Sequence, residues 1–212
     1  TNAFNSNSSV GLFITSNGAI TINNLTASSN IAGSNGARLD NTTSTTKAGV
    51  TLTGTNVFNG NLVGHGIFIR SLGNVKTSAI TANSNGGNGV RIEVTAGGAI
   101  GSVTMTGPNN FNANVNSNLN ISAVGAITLN NINSTGSVSA DGADIDNTAS
   151  GTDAPKPITL TGTNIFSGNT NGGGLVILSY GVITTNNLTA SNNGGNGGYI
   201  SNAGAVVPAD DG

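Results

Sequence analysis

The 212-residue chain contains no cysteine and no tryptophan, and only one histidine and one methionine. Without cysteine there is no disulfide frame, no thiol nucleophile and no thiolate metal site. Aromatic residues make up 4% of the chain and charged residues 7%, both far below the usual level. A thick aromatic core is therefore excluded, and so is the high-charge composition of classical disorder. With six basic residues and a net charge of −2, the chain lacks the electrostatic footprint of a nucleic-acid or anionic-membrane binder. No apolar run approaches the roughly 20 residues needed to span a bilayer, so no membrane insertion is expected. Helical periodicity is absent, and glycine at 33 residues would weaken any helix.

What is abundant is glycine and asparagine, and it is periodic. TNAFNSN at 1–7 recurs as TNVFNGN at 55–61, PNNFNAN at 108–114 and TNIFSGN at 163–169. A second tetrapeptide accompanies it, as NGAI at 17–20, GGAI at 97–100, VGAI at 124–127 and YGVI at 180–183. Such self-similarity marks a repeat architecture. It divides the chain into four long repeats, 1–54, 55–107, 108–162 and 163–212, within one solenoid segment. Each repeat splits again, because an Ala-x-x-Asn phrase (27–30, 82–85, 190–193) takes the place of Phe-x-x-Asn in the second half. About eight units result.

Each unit carries two stretches with period-two alternation, a strand signal. One is ITIN at 20–23, VTLT at 50–53 and their equivalents; the other is LFIT at 12–15, ARLD at 37–40, IFIR at 67–70 and theirs. First and third residues point inward, second and fourth outward. A unit that cannot bury its own apolar face is satisfied by stacking on a copy of itself. The expected fold is all-β, a right-handed parallel β-helix (β-solenoid) of about eight coils and about 40 Å long.

Stacking brings Asn7, Asn30, Asn61, Asn85, Asn114, Asn169 and Asn193 to one corner. Their amides offer donors and an acceptor for a ladder along the stack, and Asn tolerates the left-handed conformation a corner needs. A structural ladder is the preferred reading over ligand binding. Beside it, Phe4, Phe58, Phe111 and Phe166 alternate with Ala27, Ala82, Ser134 and Ala190, so that each ring spreads over a small neighbour.

The Phe-x-x-Asn and Gly-Gly-Ala-Ile phrases resemble the repeats of bacterial polymorphic outer-membrane proteins. They also resemble autotransporter and filamentous-haemagglutinin-type adhesins, and the coils look like the β-helix of the pectin-lyase superfamily. The resemblance implies an extracellular or cell-surface protein acting in adhesion or as a stalk.

Catalytic readings find little. Gly64-His65-Gly66 matches a short element of polygalacturonases, but the accompanying carboxylate motifs are missing, and a solvated loop histidine is the plainer account. Asp40 and Glu93 share an outward column at a separation of about 10 Å, near that of inverting glycosidases. Arg70 falls between them, which favours an exposed charge ladder that includes Asp146. Asp141, Asp144 and Asp146 supply oxygens of the kind calcium takes, yet a solvated strand face explains them as well. No catalytic residue, cofactor or metal is assigned.

Two outward surfaces remain. Thr21, Thr51, Thr104, Thr128, Thr159 and Thr184 form a column of the kind seen on ice-binding β-solenoids, interrupted by Lys76. Phe13, Arg38, Phe68, Arg91, Asp144, Val176 and Tyr199 form a mixed apolar column, the preferred contact surface for glycans, a host or neighbouring cell surface, or another chain. Longer segments at 41–49, 95–102 and 147–157 emerge from one corner every second coil, where recognition commonly varies. The expected function is thus a non-enzymatic adhesive or structural segment. Ice binding is the first alternative and a polysaccharide-active enzyme fragment the second. The chain opens in mid-repeat, and Gly212 followed by Thr1 would continue the phrase Gly54-Thr55. That reads as a piece of a longer array or a segment that stacks head to tail, with Pro208, Asp210 and Asp211 moderating the edge.

Overall fold

The computed structural model describes residues 1–32 and 35–203, so Pro208, Asp210 and Asp211 lie outside the described residues. Every paired strand is parallel, and the strands form two sheets of eight and one of seven. This is a parallel β-solenoid. Coils 1 to 7 visit the sheets in the order A, B, C, and the described part of coil 8 reaches A and B. In coil 3 these strands are Asn56–Val57, Ile67–Arg70 and Val75–Ser78; in coil 4 they are Ile80–Thr81, Val90–Val94 and Val103–Thr106. Helical structure among the described residues is a single short 3₁₀ turn, Thr148–Ser150.

Sheets B and C occupy the stretches that alternate in sequence, with the expected face inward. In Ile67–Arg70 and Val103–Thr106 the first and third side chains are buried and the second and fourth are not. Sheet A corrects the expectation of two strands per unit. The segment leading into Phe-x-x-Asn is itself a strand, and its first inward residue alternates between Asn (Asn56, Asn109, Asn164) and Leu or Ile (Leu25, Ile80, Ile132). A polar residue at every second inward site hides the period-two signal. Buried Asn is tolerated because its hydrogen bonds are met. Asn109 Oδ1 accepts the Ile80 N–H at 3.2 Å, while its Nδ2 donates to the carbonyls of Gly107 (2.9 Å) and Asn130 (3.1 Å).

Phe58, Phe111 and Phe166 are fully buried and alternate with buried Ala27, Ala82 and Ser134. The core is therefore a narrow column of aliphatic side chains with one ring in every second coil. Two corners per coil bring the backbone into the left-handed region. One lies between sheets C and A, at Asn24, Gly54, Ala79, Gly107, Asn131, Gly162 and Asn187. The other lies between A and B, at Ser6, Ser29, Gly60, Ser84, Ala113, Gly136, Gly168 and Asn192. In the second set the left-handed residue immediately precedes the ladder Asn, or Ser137 in coil 6. The ladder residues themselves do not adopt that conformation, contrary to the expectation from sequence.

Candidate functional site: a laddered corner and an aromatic–arginine face

At the corner between sheets A and B the asparagines stack as expected. Nδ2 of each donates to Oδ1 of the next, at 2.9 Å for Asn7–Asn30, Asn30–Asn61, Asn61–Asn85 and Asn85–Asn114, and at 2.8 Å for Asn169–Asn193. The same Oδ1 also takes the backbone N–H of the residue before it in the ladder, as in Asn61 to Asn85 at 3.0 Å. A second Nδ2 bond reaches the carbonyl just past the sheet A strand of the preceding coil: Asn85 to Phe58 and Asn114 to Ala82, both at 2.9 Å.

Coil 6 has Ser137 in the ladder position, and the gap is filled from coil 5. Asn118 Oδ1 accepts both the Asn114 Nδ2 (2.7 Å) and the Asn114 N–H (3.2 Å), as the missing asparagine would. Asn118 occupies a site that is Gly66 or Gly89 in other coils. A Cβ at Gly89 would lie 2.6 Å from Asn114 Nδ2, so elsewhere the ladder of the next coil forbids a side chain there. Ser137 removes that obstacle.

The outward face of sheet B aligns the residues that the sequence placed in one mixed column. Register places Phe13, Arg38, Phe68, Arg91, Asn120, Asp144, Val176 and Tyr199 in one column. In coils 1 to 4 it alternates ring and guanidinium. The Arg38 guanidinium carbon lies 5.4 Å from the Phe13 ring centre and 5.5 Å from that of Phe68, and Arg91 lies 5.1 Å from Phe68. These are cation–π distances. Phe13 is 55% exposed. Val176 is a correction: only 6% of it is exposed, since it sits between Asp144 and Tyr199, two longer side chains of the same column. It offers little contact area.

The neighbouring column holds Asp40, Arg70, Glu93 and Asp146. Arg70 bridges Asp40 and Glu93 at 3.3 Å each, and Arg38 reaches Asp40 at 3.1 Å while Arg91 pairs with Glu93. The two carboxylates are thus joined through a guanidinium, which leaves no room between them for a substrate and a water. Asp40 is more enclosed than an exposed ladder implies, with 10% of its side chain accessible. Burial works against its ionisation, but hydrogen bonds from Thr42 and Arg38 and the Arg70 charge outweigh it and hold the carboxyl below its usual range.

The three aspartates weighed for calcium are engaged separately. Asp144 accepts from Asn120 Nδ2 at 3.0 Å, Asp141 from the Gly173 N–H at 2.7 Å, and Asp146 from the Thr148 N–H and hydroxyl at 2.7 Å each. Among the described residues no group of three or more His, Asp or Glu side chains is arranged to hold a metal ion. Burial, then the charges of Asp141 and Asp146, push Asp144 up to about 6.

His65 is not a freely solvated loop residue. Its Nδ1 accepts the Asn88 N–H at 2.9 Å, its own N–H donates to Asn35 Oδ1 at 3.0 Å, and its ring packs edge-on against Phe68 at 5.7 Å. It continues a second, shorter ladder begun by Asn35. Burial, with the Arg91 charge, lowers its pKa to about 4 against the opposing pull of Glu93. Sequence reading also missed a repeated clamp, Asp-Asn-Thr at 40–42 and 146–148. In each, the Asp caps the Thr, and the buried Asn ties the far end of the long loop: Asn41 to Ala48 O at 2.5 Å, Asn147 to Lys156 O at 2.8 Å. The repeated tripeptide was the available signal.

No family model, curated protein or solved structure matches the chain.

Proposed function

We propose that this chain is a non-enzymatic stalk segment of an extracellular or cell-surface protein, with sheet B as its adhesive face. The observation that carries the reading is the unbroken parallel register of sheets A and B through eight coils, tied along the corner by Asn amides. The inward polar chemistry is spent on joining coil to coil, and recognition is left to outward columns. The alternation Phe13, Arg38, Phe68, Arg91 suits a glycan-bearing partner, since rings stack on sugar C–H faces and the guanidinium groups, paired with Asp40 and Glu93 yet still partly accessible, keep N–H donors for sugar oxygens. The resemblance of the repeats to those of surface adhesins supports the same class.

Retention of the labelled chain on surfaces coated with polysaccharide or glycoprotein tests the adhesive face. Binding that falls in Phe13→Ser and Arg38→Ser variants is expected; binding absent from every surface, or unchanged in both variants, would sink it. Release of new sugar ends from any polysaccharide, abolished by a change at His65 or Glu93, would replace it with the enzyme reading.

One observation favours ice binding as a second reading. Thr104, Thr128, Thr159 and Thr184 are consecutive register partners on the outward face of sheet C, as are Thr21 and Thr51. Thermal hysteresis that disappears in Thr128→Lys would establish it.

A further inference from the structure

Coils 1 to 7 contain asparagine directly before glycine at Asn17, Asn35, Asn59, Asn85, Asn88 and Asn171. Such a step is chemically weak, because a glycine nitrogen with no side chain beside it is free to attack the asparagine Cγ. Four of the steps are shielded by stacking. The N–H of Gly36 donates to His65 O at 2.9 Å, that of Gly60 to Asn83 O at 2.9 Å, that of Gly86 to Asn61 O at 2.8 Å and that of Gly89 to Ser117 O at 3.3 Å. In three of these the carboxamide is fixed as well, since Oδ1 of Asn35, Asn59 and Asn85 accepts the N–H of His65, Asn83 and Asn61. Gly18 has a local substitute, donating its N–H to Ser16 Oγ at 3.0 Å.

The step at Asn171 differs from all of these. Among the described residues the Gly172 N–H donates to no acceptor and Asn171 Oδ1 accepts from no donor. Asn171 is exposed, and its one bond runs from Nδ2 to Val138 O of coil 6 at 2.8 Å. Glycine is nevertheless required after it: a Cβ at Gly172 would lie 2.3 Å from the Ala140 carbonyl carbon. The packing of coil 7 on coil 6 thus retains the weak step, while no bond to a neighbouring coil shields its nitrogen.

We infer that Asn171 is a site of spontaneous deamidation in the folded protein. The Gly172 nitrogen attacks Asn171 Cγ; the N–Cγ bond forms, the Cγ–Nδ2 bond breaks, and the Gly172 amide proton leaves with the departing nitrogen as ammonia. Water then opens the cyclic imide at one carbonyl or the other, giving aspartate or isoaspartate. One water is consumed and one ammonia released, with no oxidant or enzyme involved. At the shielded steps the corner has to open before attack, at the cost of the donated N–H bond. The product carboxylate has no N–H for Val138 O, and it adds one negative charge to the net −2 of the chain. Isoaspartate also lengthens the main chain by a methylene. Ageing therefore loosens coil 7 from coil 6 at this corner.

Incubation of the folded chain at mildly alkaline pH, followed by peptide mapping in a mass spectrometer, tests the assignment. The deamidated form should accumulate at Asn171 severalfold faster than at Asn35, Asn59, Asn85 or Asn88, with Asn17 behind it, and as two products separable by chromatography. The same incubation in urea removes the shielding, so the lead of Asn171 should vanish. Asn171→Gln, whose longer side chain closes a ring much more slowly, should remove the matching acidic band from isoelectric focusing of the aged protein. Conversion at Asn171 no faster than at the shielded steps, or a lead that persists unchanged in urea, would overturn the inference. Asn171→Asp imitates one product and should lower the urea midpoint; an unchanged midpoint would overturn the loosening of coil 7.

Discussion

Asn118 and Ser137 compensate for one another across neighbouring coils. The shorter side chain at 137 opens a space that the longer one at 118 enters, and the Asn114 amide finds its acceptor either way. Asn118→Gly alone should leave the buried Asn114 backbone N–H and one of its two Nδ2 hydrogens unpaired and cost about 1–3 kcal/mol. Ser137→Asn alone should crowd the Asn118 side chain. The double variant rebuilds the pattern of the other coils and should recover most of the loss. Urea denaturation of the four proteins gives the coupling energy; simple additivity would refute the compensation.

Phe58 spreads between Ala27 and Ala82 with none of its surface exposed. Phe58→Ala should cost about 3–5 kcal/mol, because three small residues in succession leave a cavity in a column with nothing else to fill it. A loss under about 1 kcal/mol in chemical denaturation, at the level of a surface change, would show that the coils collapse around the gap.

Ala79 holds φ at 43° at a corner where Gly107 and Asn131 stand in the following coils. An L-residue with a Cβ pays about 1–2 kcal/mol there, part of which glycine returns as lost unfolded-state restriction. Ala79→Gly should therefore stabilise the protein modestly, raising its melting temperature. A lower melting temperature would mean the Ala79 methyl group packs more usefully than its strain costs.

His65 and Asp144 give opposite pH dependences in nearly the same window. His65 titrates at about 4 when folded against 6.5 unfolded, so the unfolded chain binds more protons between these values and stability falls as pH drops from 6.5 towards 4. Asp144 titrates at about 6 when folded against 3.8 unfolded, so the folded chain binds more protons and stability rises as pH drops from 6 towards 3.8. In the parent protein the two partly cancel. His65→Asn keeps the side-chain acceptor, as Asn35 does, and should unmask stabilisation on mild acidification; Asp144→Asn should unmask the loss. Denaturation midpoints between pH 4 and 7 that move alike in both variants would contradict the assignment.

Sheets B and C and the ladder were legible in the sequence because their inward sites, with exceptions such as Thr77 in sheet C and Ser137 in the ladder, repeat one residue class, so stacking and alternation reinforce each other. Sheet A was not, because Asn56 and Ile80 are equivalent positions of opposite polarity, reconciled only by hydrogen bonds to neighbouring coils. The role of His65 was hidden for a related reason: as an acceptor it stands in for asparagine, and composition does not reveal that equivalence. The aromatic–arginine column could be assembled from register alone. The concealment of Val176 depends on how far its neighbours reach, which no alternation pattern encodes.

The ladder also has a direction. From Asn7 to Asn85 each ladder amide points one N–H towards the following coil, and each oxygen from Asn30 to Asn114 receives one from the preceding coil. Their dipoles add instead of alternating, so the corner forms a polarised wire whose two ends differ in sign. Each amide that joins the line finds its neighbours already oriented, and its bond is strengthened by theirs. Coil order is thereby recorded electrically as well as sterically: a coil inserted upside down would present donor to donor.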